Sequence, residues 1–157
     1  MVNYKLWVMK YYEGLGLGYL ELYLADSVRG YLSFLESRSP RGLRIIDVGC
    51  GLGVGAGLIS GAAERYICLD IACSLLKYPS RLPNVDVVCA DAEHIPIRPG
   101  SVDEALLINV INADGDGEGI LREVSRLGVG IFARSPRPID NELIGSFLRL
   151  KNIKQGP

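Results

Sequence analysis

A chain of 157 residues, 48% hydrophobic and 22% charged, is of one-domain size and carries enough apolar residues for a full core. A formal net charge of −1 and a pI near 5.8, with no block of lysine or arginine, argue against broad electrostatic capture of nucleic acid or of an anionic membrane. No 18-residue apolar span exists and Lys5 and Lys10 bracket only four residues, so neither a membrane segment nor a signal peptide is expected, and the chain is expected to be cytoplasmic.

Along the chain, Trp7, Tyr11, Tyr12 and Tyr19 come first, around a glycine-rich hinge at 14–18. These rings either cover the sheet edge or form a lid. Residues 19–36 follow as an amphipathic helix with Leu20, Leu24, Val28, Tyr31, Leu32 and Leu35 on one stripe against the sheet. Strands are then expected at 43–48, 65–70, 85–90, 102–109 and 129–134, and helices at 53–61, 72–78, 118–127 and 140–147. That alternation predicts an α/β fold: a Rossmann-like, doubly wound, mainly parallel sheet with helices on both faces. One domain is expected over 1–157, with a lid and helix at 1–38, a core at 43–134 and a terminal part at 135–157.

The run Ile45-Ile46-Asp47-Val48-Gly49-Cys50-Gly51-Leu52-Gly53 joins the first strand to a glycine turn, where open α/β sheets present backbone N–H groups to nucleotide-like ligands. Asp47 places a carboxylate at that strand's end, suited to a cationic or amino-bearing group. The second strand ends in Asp70, 19 residues after Gly51, the distance at which an acid accepts from ribose hydroxyls. The third ends in Asp91, so three successive strands finish in an acid at the same sheet edge.

With Asp91-Ala92-Glu93-His94-Ile95-Pro96 and Ile120–Leu127, residues 40–135 resemble the class I S-adenosylmethionine-dependent methyltransferases, in their small-domain form. The resemblance implies S-adenosylmethionine as cofactor, with Asp47 on its methionine moiety and Gly49, Gly51 and Gly53 in the turn beneath it. Asp70 would hold the ribose hydroxyls, Ile71 would lie beside the adenine, and Asp91 and Ala92 would recognise the adenine amino group. Asn109 would line the reacting centre, with Asn112 and Asp114 facing a small-molecule acceptor. No catalytic residue is named, because methyl transfer from a sulfonium needs alignment and exclusion of water more than a dedicated base. A surface or cofactor-side role is expected for His94 rather than a general base. A dinucleotide reading competes, since Gly51–Ala56 fits G-x-G-x-x-A, but Asp47 is an awkward neighbour for a pyrophosphate. An NAD-dependent oxidoreductase and a catalytically silent cofactor-binding partner are therefore the alternatives.

Cysteines at 50, 68, 73 and 89 form no C-x-x-C pair, and no metal site is expected. Cys68 and Cys89 are expected as reduced, buried residues in strands, and Cys50 as packing in the turn. Asp114–Gly119 mimics the opening of a calcium loop, but Ser125 stands where the bidentate glutamate would be, so a polar loop opening a helix is expected. Arginine outnumbers lysine 12 to 5, which suggests a heat-adapted source. Beyond Arg134 only 23 residues remain, too few for most of the family's C-terminal hairpin. Residues 147–153 could form one short strand or extend the last helix, and an open fifth-strand edge leads to the expectation of a homodimer.

Overall fold

In the computed structural model, which describes residues 3–153, five strands pair in parallel in the order β3-β2-β1-β4-β5. They are β1 (Arg44–Val48), β2 (Arg65–Asp70), β3 (Val85–Cys89), β4 (Glu104–Ile108) and β5 (Gly130–Arg134). Strand order reverses between β1 and β4, so a crevice opens at their carboxyl ends, where such sheets bind ligands. Residues 1–2 and 154–157 of the expected terminal parts lie outside the described residues.

Side chains alternate across the sheet and divide the core in two. Ile46 and Val48 of β1 join Leu69, Ala105, Leu107 and Ile131 under α4 (Gly117–Arg126) and α5 (Pro138–Leu150). Ile45 of the same strand joins Tyr66, Cys68, Leu106 and Phe132 under α2 (Gly18–Ser37) and α3 (Val54–Ile59). Every residue of β4 is buried, as a central strand covered on both faces requires.

Two elements differ from expectation at the amino terminus. Tyr4–Leu15 is itself a helix, α1, with Asn3 accepting from the Lys5 and Leu6 N–H groups, and a turn at Gly16 (φ 49°) leads into α2. On α2 the buried face is Ser27, Gly30, Tyr31 and Phe34, while Leu24 and Leu32 of the expected stripe are exposed. The reason is close approach: a Cβ on Gly30 would collide with the Ile108 side chain, so the helix brings Gly30 onto β4 and leaves Leu24 and Leu32 outside, while Leu20 and Leu35 of the stripe still pack against the core.

The helix expected at 72–78 is two short 3₁₀ turns, Cys73–Lys77 and Pro79–Arg81, broken where Pro79 offers no N–H. Edge strand β3 is largely exposed, and Cys89 on it forms a disulfide with Cys73, their Cα atoms 5.2 Å apart. Both cysteines are exposed, which corrects the expectation of a reduced, buried Cys89; Cys50 and Cys68 are buried and free, as expected. At the far end α5 runs to Leu150, so the last helix is extended and no strand forms at 147–153.

Candidate functional site

The glycine turn is built from backbone that only residues without a side chain adopt readily: Gly49, Gly51 and Gly53 have φ of 75°, 54° and 81°. Three of its N–H groups are spent on the neighbouring strand rather than left facing a ligand. Gly49 and Cys50 donate to the Leu69 carbonyl at 2.8 and 3.2 Å, and Gly51 donates to Asp70 Oδ2 at 2.7 Å. Asp70 Oδ1 accepts the Ala72 N–H at 2.8 Å, so its carboxylate is fixed from both sides. Burial pushes the Asp70 carboxyl up, and the backbone donors oppose that shift.

A cavity of about 360 Å³ opens over this turn, within the range of small-molecule sites. Of the residues expected to hold a cofactor, Gly49, Gly51, Asp70, Ile71, Asp91, Ala92 and Asn109 line it together. Asn109 reaches it with a left-handed backbone (φ 60°) at the end of β4. Two expected residues do not line the cavity. Gly53 caps α3 and packs on Pro79, whose Cβ would lie 2.6 Å from an added Cβ. Asp47 is fully buried beneath the turn, with its carboxylate taken up by the Tyr31 and Tyr66 hydroxyls.

Of the expected amino-terminal rings, Trp7, Tyr12 and Tyr19 border the cavity rather than simply covering the sheet edge, and Tyr11 does not line it. Tyr4, Trp7, Tyr12, Tyr19 and Tyr23 all line it, and the Tyr19 ring sits 3.6 Å from where a Gly51 side chain would begin. Tyr12 and Tyr19 also pack near Leu52, Ala72 and Leu75 at the start of the first 3₁₀ turn. Burial, first of all, raises the hydroxyl pKa of both. Helix α1 is clasped over the site at both ends. Lys5 pairs with Asp91 and Glu93, the Tyr4 hydroxyl accepts from Asn112 Nδ2 at 2.7 Å, and Glu13 accepts the Ser74 N–H at 3.3 Å. Burial works against the Lys5 ammonium, and the two carboxylates outweigh it.

Beyond β4 and β5 lies a polar end of the cavity with Asn112, Asp116, Ser135, Arg137 and Asp140. Ser135 Oγ donates to Asp140 Oδ2 at 2.7 Å, and Asp140 Oδ1 accepts the Ala113 N–H at 2.9 Å. Arg137 donates to Asn112 Oδ1 at 3.0 Å and pairs with Asp114, which is exposed and outside the lining. Asp116 takes the place expected for Asp114: it is the N-cap residue of α4, and burial raises its pKa. His94 points to solvent with its Nδ1 3.6 Å from Asp91. No site role is expected from the sequence for Lys5, Tyr23, Asp26, Asp116, Ser135 or Arg137, yet all six line the cavity. Tyr19, Tyr23 and Asp26 do follow one another at helical spacing, which was the available signal.

The methyltransferase domain family matches residues 46–128, and the chain belongs to it as a class I S-adenosylmethionine-dependent methyltransferase fold. An uncharacterized protein of Methanocaldococcus jannaschii is 28% identical over 94% of this chain and 61% of its own length. A probable S-adenosylmethionine-dependent methyltransferase of Mycobacterium tuberculosis is 32% identical over 53% of the chain. A probable 18S rRNA (guanine-N(7))-methyltransferase of Dictyostelium discoideum is 30% identical over 59% of it. The chain spans 31% and 33% of those two methyltransferases. Among solved structures, the DhpI-SAM-HEP complex superposes with a TM-score of 0.68 at 19% identity, over 93% of this chain and 73% of that one.

Proposed function

We propose that this chain binds S-adenosylmethionine in the cavity over the glycine turn and transfers its methyl group to a small-molecule acceptor. The observation that carries the reading is the convergence of Asp70, Asp91 and the Gly49–Gly51 backbone on one cavity at the point where strand order reverses. The residues fit the cofactor. Asp70, already oriented by Gly51 and Ala72, would accept from the ribose hydroxyls; Ile71 would flank the adenine; Asp91 and Ala92 would meet its amino group. When bound, the cofactor supplies a methyl group on a sulfonium, which is reactive without further activation. The chain's own task is then to align an acceptor and keep water out.

The small-molecule acceptor is supported by the cover that α1 and its tyrosines place over the cavity, and by the lack of excess positive charge. Asn109, Asn112, Asp116 and Arg137 would face the acceptor from the polar end. A homodimer is proposed alongside, and a solution mass at micromolar concentration tests it. For the activity itself, calorimetric titration with S-adenosylmethionine, S-adenosylhomocysteine and NAD comes first, followed by an acceptor screen with labelled methyl cofactor. Binding of the first two and turnover of a small acceptor support the reading. Binding without turnover by any small molecule or RNA would leave a silent cofactor-binding subunit, and NAD binding alone would overturn both.

A further inference from the structure

Asp47 is an acid at the sheet's carboxyl edge that serves a different purpose from Asp70 and Asp91. It is fully buried on the face of β1 that packs against α2 and α3. Its two oxygens accept the Tyr31 hydroxyl at 3.0 and 2.9 Å, and Oδ2 also accepts the Tyr66 hydroxyl at 2.7 Å. The two tyrosines reach it because α3 has a glycine at its second position. An added Cβ on Gly55 would lie 2.5 Å from Tyr31 Cζ and 2.6 Å from the Tyr66 hydroxyl. Three elements therefore meet at one carboxylate: α2 through Tyr31, β2 through Tyr66, and β1, which runs on into the glycine turn, through Asp47 itself.

Each of those elements also carries part of the cavity wall. Helix α2 supplies Tyr19, Tyr23 and Asp26, β2 ends in Asp70, and the turn supplies Gly49 and Gly51. We propose that Asp47 is a positioning residue, which fixes α2 and β2 against the glycine turn through Tyr31 and Tyr66 so that the cofactor cavity keeps its shape, and that it does not touch the cofactor. This rests on the reading of the cavity as an S-adenosylmethionine site, and it replaces the direct methionine contact that the family resemblance implies for Asp47. Hydrogen bonds from hydroxyls to a buried carboxylate are among the stronger ones, and removing the acceptor leaves two buried hydroxyls unpaired. An asparagine in its place keeps one carbonyl oxygen that both hydroxyls can reach.

The test is calorimetric titration of S-adenosylhomocysteine, with circular dichroism and melting on the same samples. Tyr31→Phe and Tyr66→Phe keep their rings and are expected to remain folded, each binding roughly 3–10-fold more weakly, the effect of about one lost hydrogen bond. Asp47→Asn is expected to stay within about threefold of wild type, whereas Asp47→Ala falls at least as far as either phenylalanine variant. Ile131→Val, in the opposite core layer, serves as the control: it should lower the melting temperature and leave affinity unchanged. Wild-type affinity in both phenylalanine variants overturns the inference, as does an Asp47→Asn variant that binds as weakly as Asp47→Ala. So does a control that loses affinity in step with its stability. A wild-type protein that binds no S-adenosylhomocysteine overturns the cofactor reading and this inference together, a result distinct from binding that the triad leaves unmoved.

Discussion

At the scale of single residues, Asp70 and Asp47 show how two acids near the ends of adjacent strands acquire opposite tasks. Asp70 is held by backbone donors at the cavity wall, so its carboxylate is aligned before any ligand arrives. Asp70→Ala should weaken S-adenosylhomocysteine binding by about 1–3 kcal/mol, the range for a lost hydrogen bond to a charged group, and calorimetry would read it directly. Asp47 faces inward among Tyr31, Tyr66, Cys50 and Cys68, and with Asp70 nearby its surroundings hold no compensating cation. Burial, only partly offset by the two tyrosine hydroxyls, pushes its carboxyl from 3.8 to about 7. The sign follows from linkage: the folded chain keeps this proton to a higher pH than the unfolded chain does, so stability from Asp47 is full below about pH 4 and is lost as pH rises towards 7. Asp47→Asn removes that loss. The variant should melt close to wild type at pH 4 and increasingly above it up to pH 7.5, by at most about 4 kcal/mol, since each tenfold change in proton affinity corresponds to about 1.4 kcal/mol. Melting scans at four pH values decide it, and a difference that does not change with pH would refute the assignment. From the sequence, Asp47 and Asp70 looked alike because both end a strand before a turn. Both point to the same sheet face, since Asp47 pairs with Cys68, two positions before Asp70; what separates them is depth along the strand, with Asp70 at the rim and Asp47 one step back under α2, where tyrosines 16 and 19 residues away in the chain receive it.

Among elements, the ends of β2 and β3 form one wall of the cavity, carrying Asp70, Ile71 and Asp91. The Cys73–Cys89 disulfide joins the segments just after the first and just before the last of these, across 16 residues. A loop of that size is worth about 3 kcal/mol in chain entropy, so reduction or Cys73→Ser should lower the melting temperature by several degrees. S-adenosylhomocysteine affinity should fall with it, because the two strand ends of that wall are no longer tied; a reductant titration followed by melting and calorimetry checks both effects. The opposite wall is α1, none of whose residues is buried, held by Lys5 on Asp91 and Glu93 and by contacts at Tyr4 and Glu13. Lys5→Ala should raise the exchange rate of bound S-adenosylhomocysteine several-fold in stopped-flow displacement and expose α1 to protease, while leaving the core's melting nearly unchanged, since partly exposed ion pairs contribute little to stability. The sequence made the strands legible because each is short, apolar and bounded by turn residues. It made α1 less legible, because Tyr4, Trp7, Tyr11 and Leu15 do follow at helical spacing but Leu6, Val8, Met9 and Tyr12 stand between them, so no single apolar face is set off from a polar one. It misplaced the packed face of α2, because leucine spacing says nothing about Gly30, whose missing side chain lets the helix approach β4.

For the whole molecule, topology does what no single motif could. The parallel order β3-β2-β1-β4-β5 collects the ends of five strands along one edge and opens its crevice where the order reverses. Both the glycine turn and the acids lay in the sequence, and alternation of strands and helices was enough to bring them to that edge. The polar end of the cavity was less legible, because it is assembled from the loops after β4 and β5, where Asp116 faces inward and Asp114 pairs with Arg137 at the surface. The same arrangement distinguishes the two ligand classes that the glycine pattern alone left in competition. A dinucleotide would bring its pyrophosphate to the turn, yet Gly49, Cys50 and Gly51 have already given their N–H groups to Leu69 and Asp70, and the Asp70 and Asp91 carboxyls line the same cavity. A sulfonium nucleoside meets no such penalty, and its positive charge is favoured by these acids. S-adenosylhomocysteine or S-adenosylmethionine at one hundred times its dissociation constant should therefore stabilise the fold by about 2.7 kcal/mol. NAD at the same concentration should leave the melting curve where it was. Because the attraction comes from a few partly buried acids rather than from a charged surface, raising sodium chloride from 0.05 to about 0.5 M should change the S-adenosylhomocysteine affinity only slightly. A steep salt dependence, or a melting shift with NAD, would mean that the turn binds an anion after all.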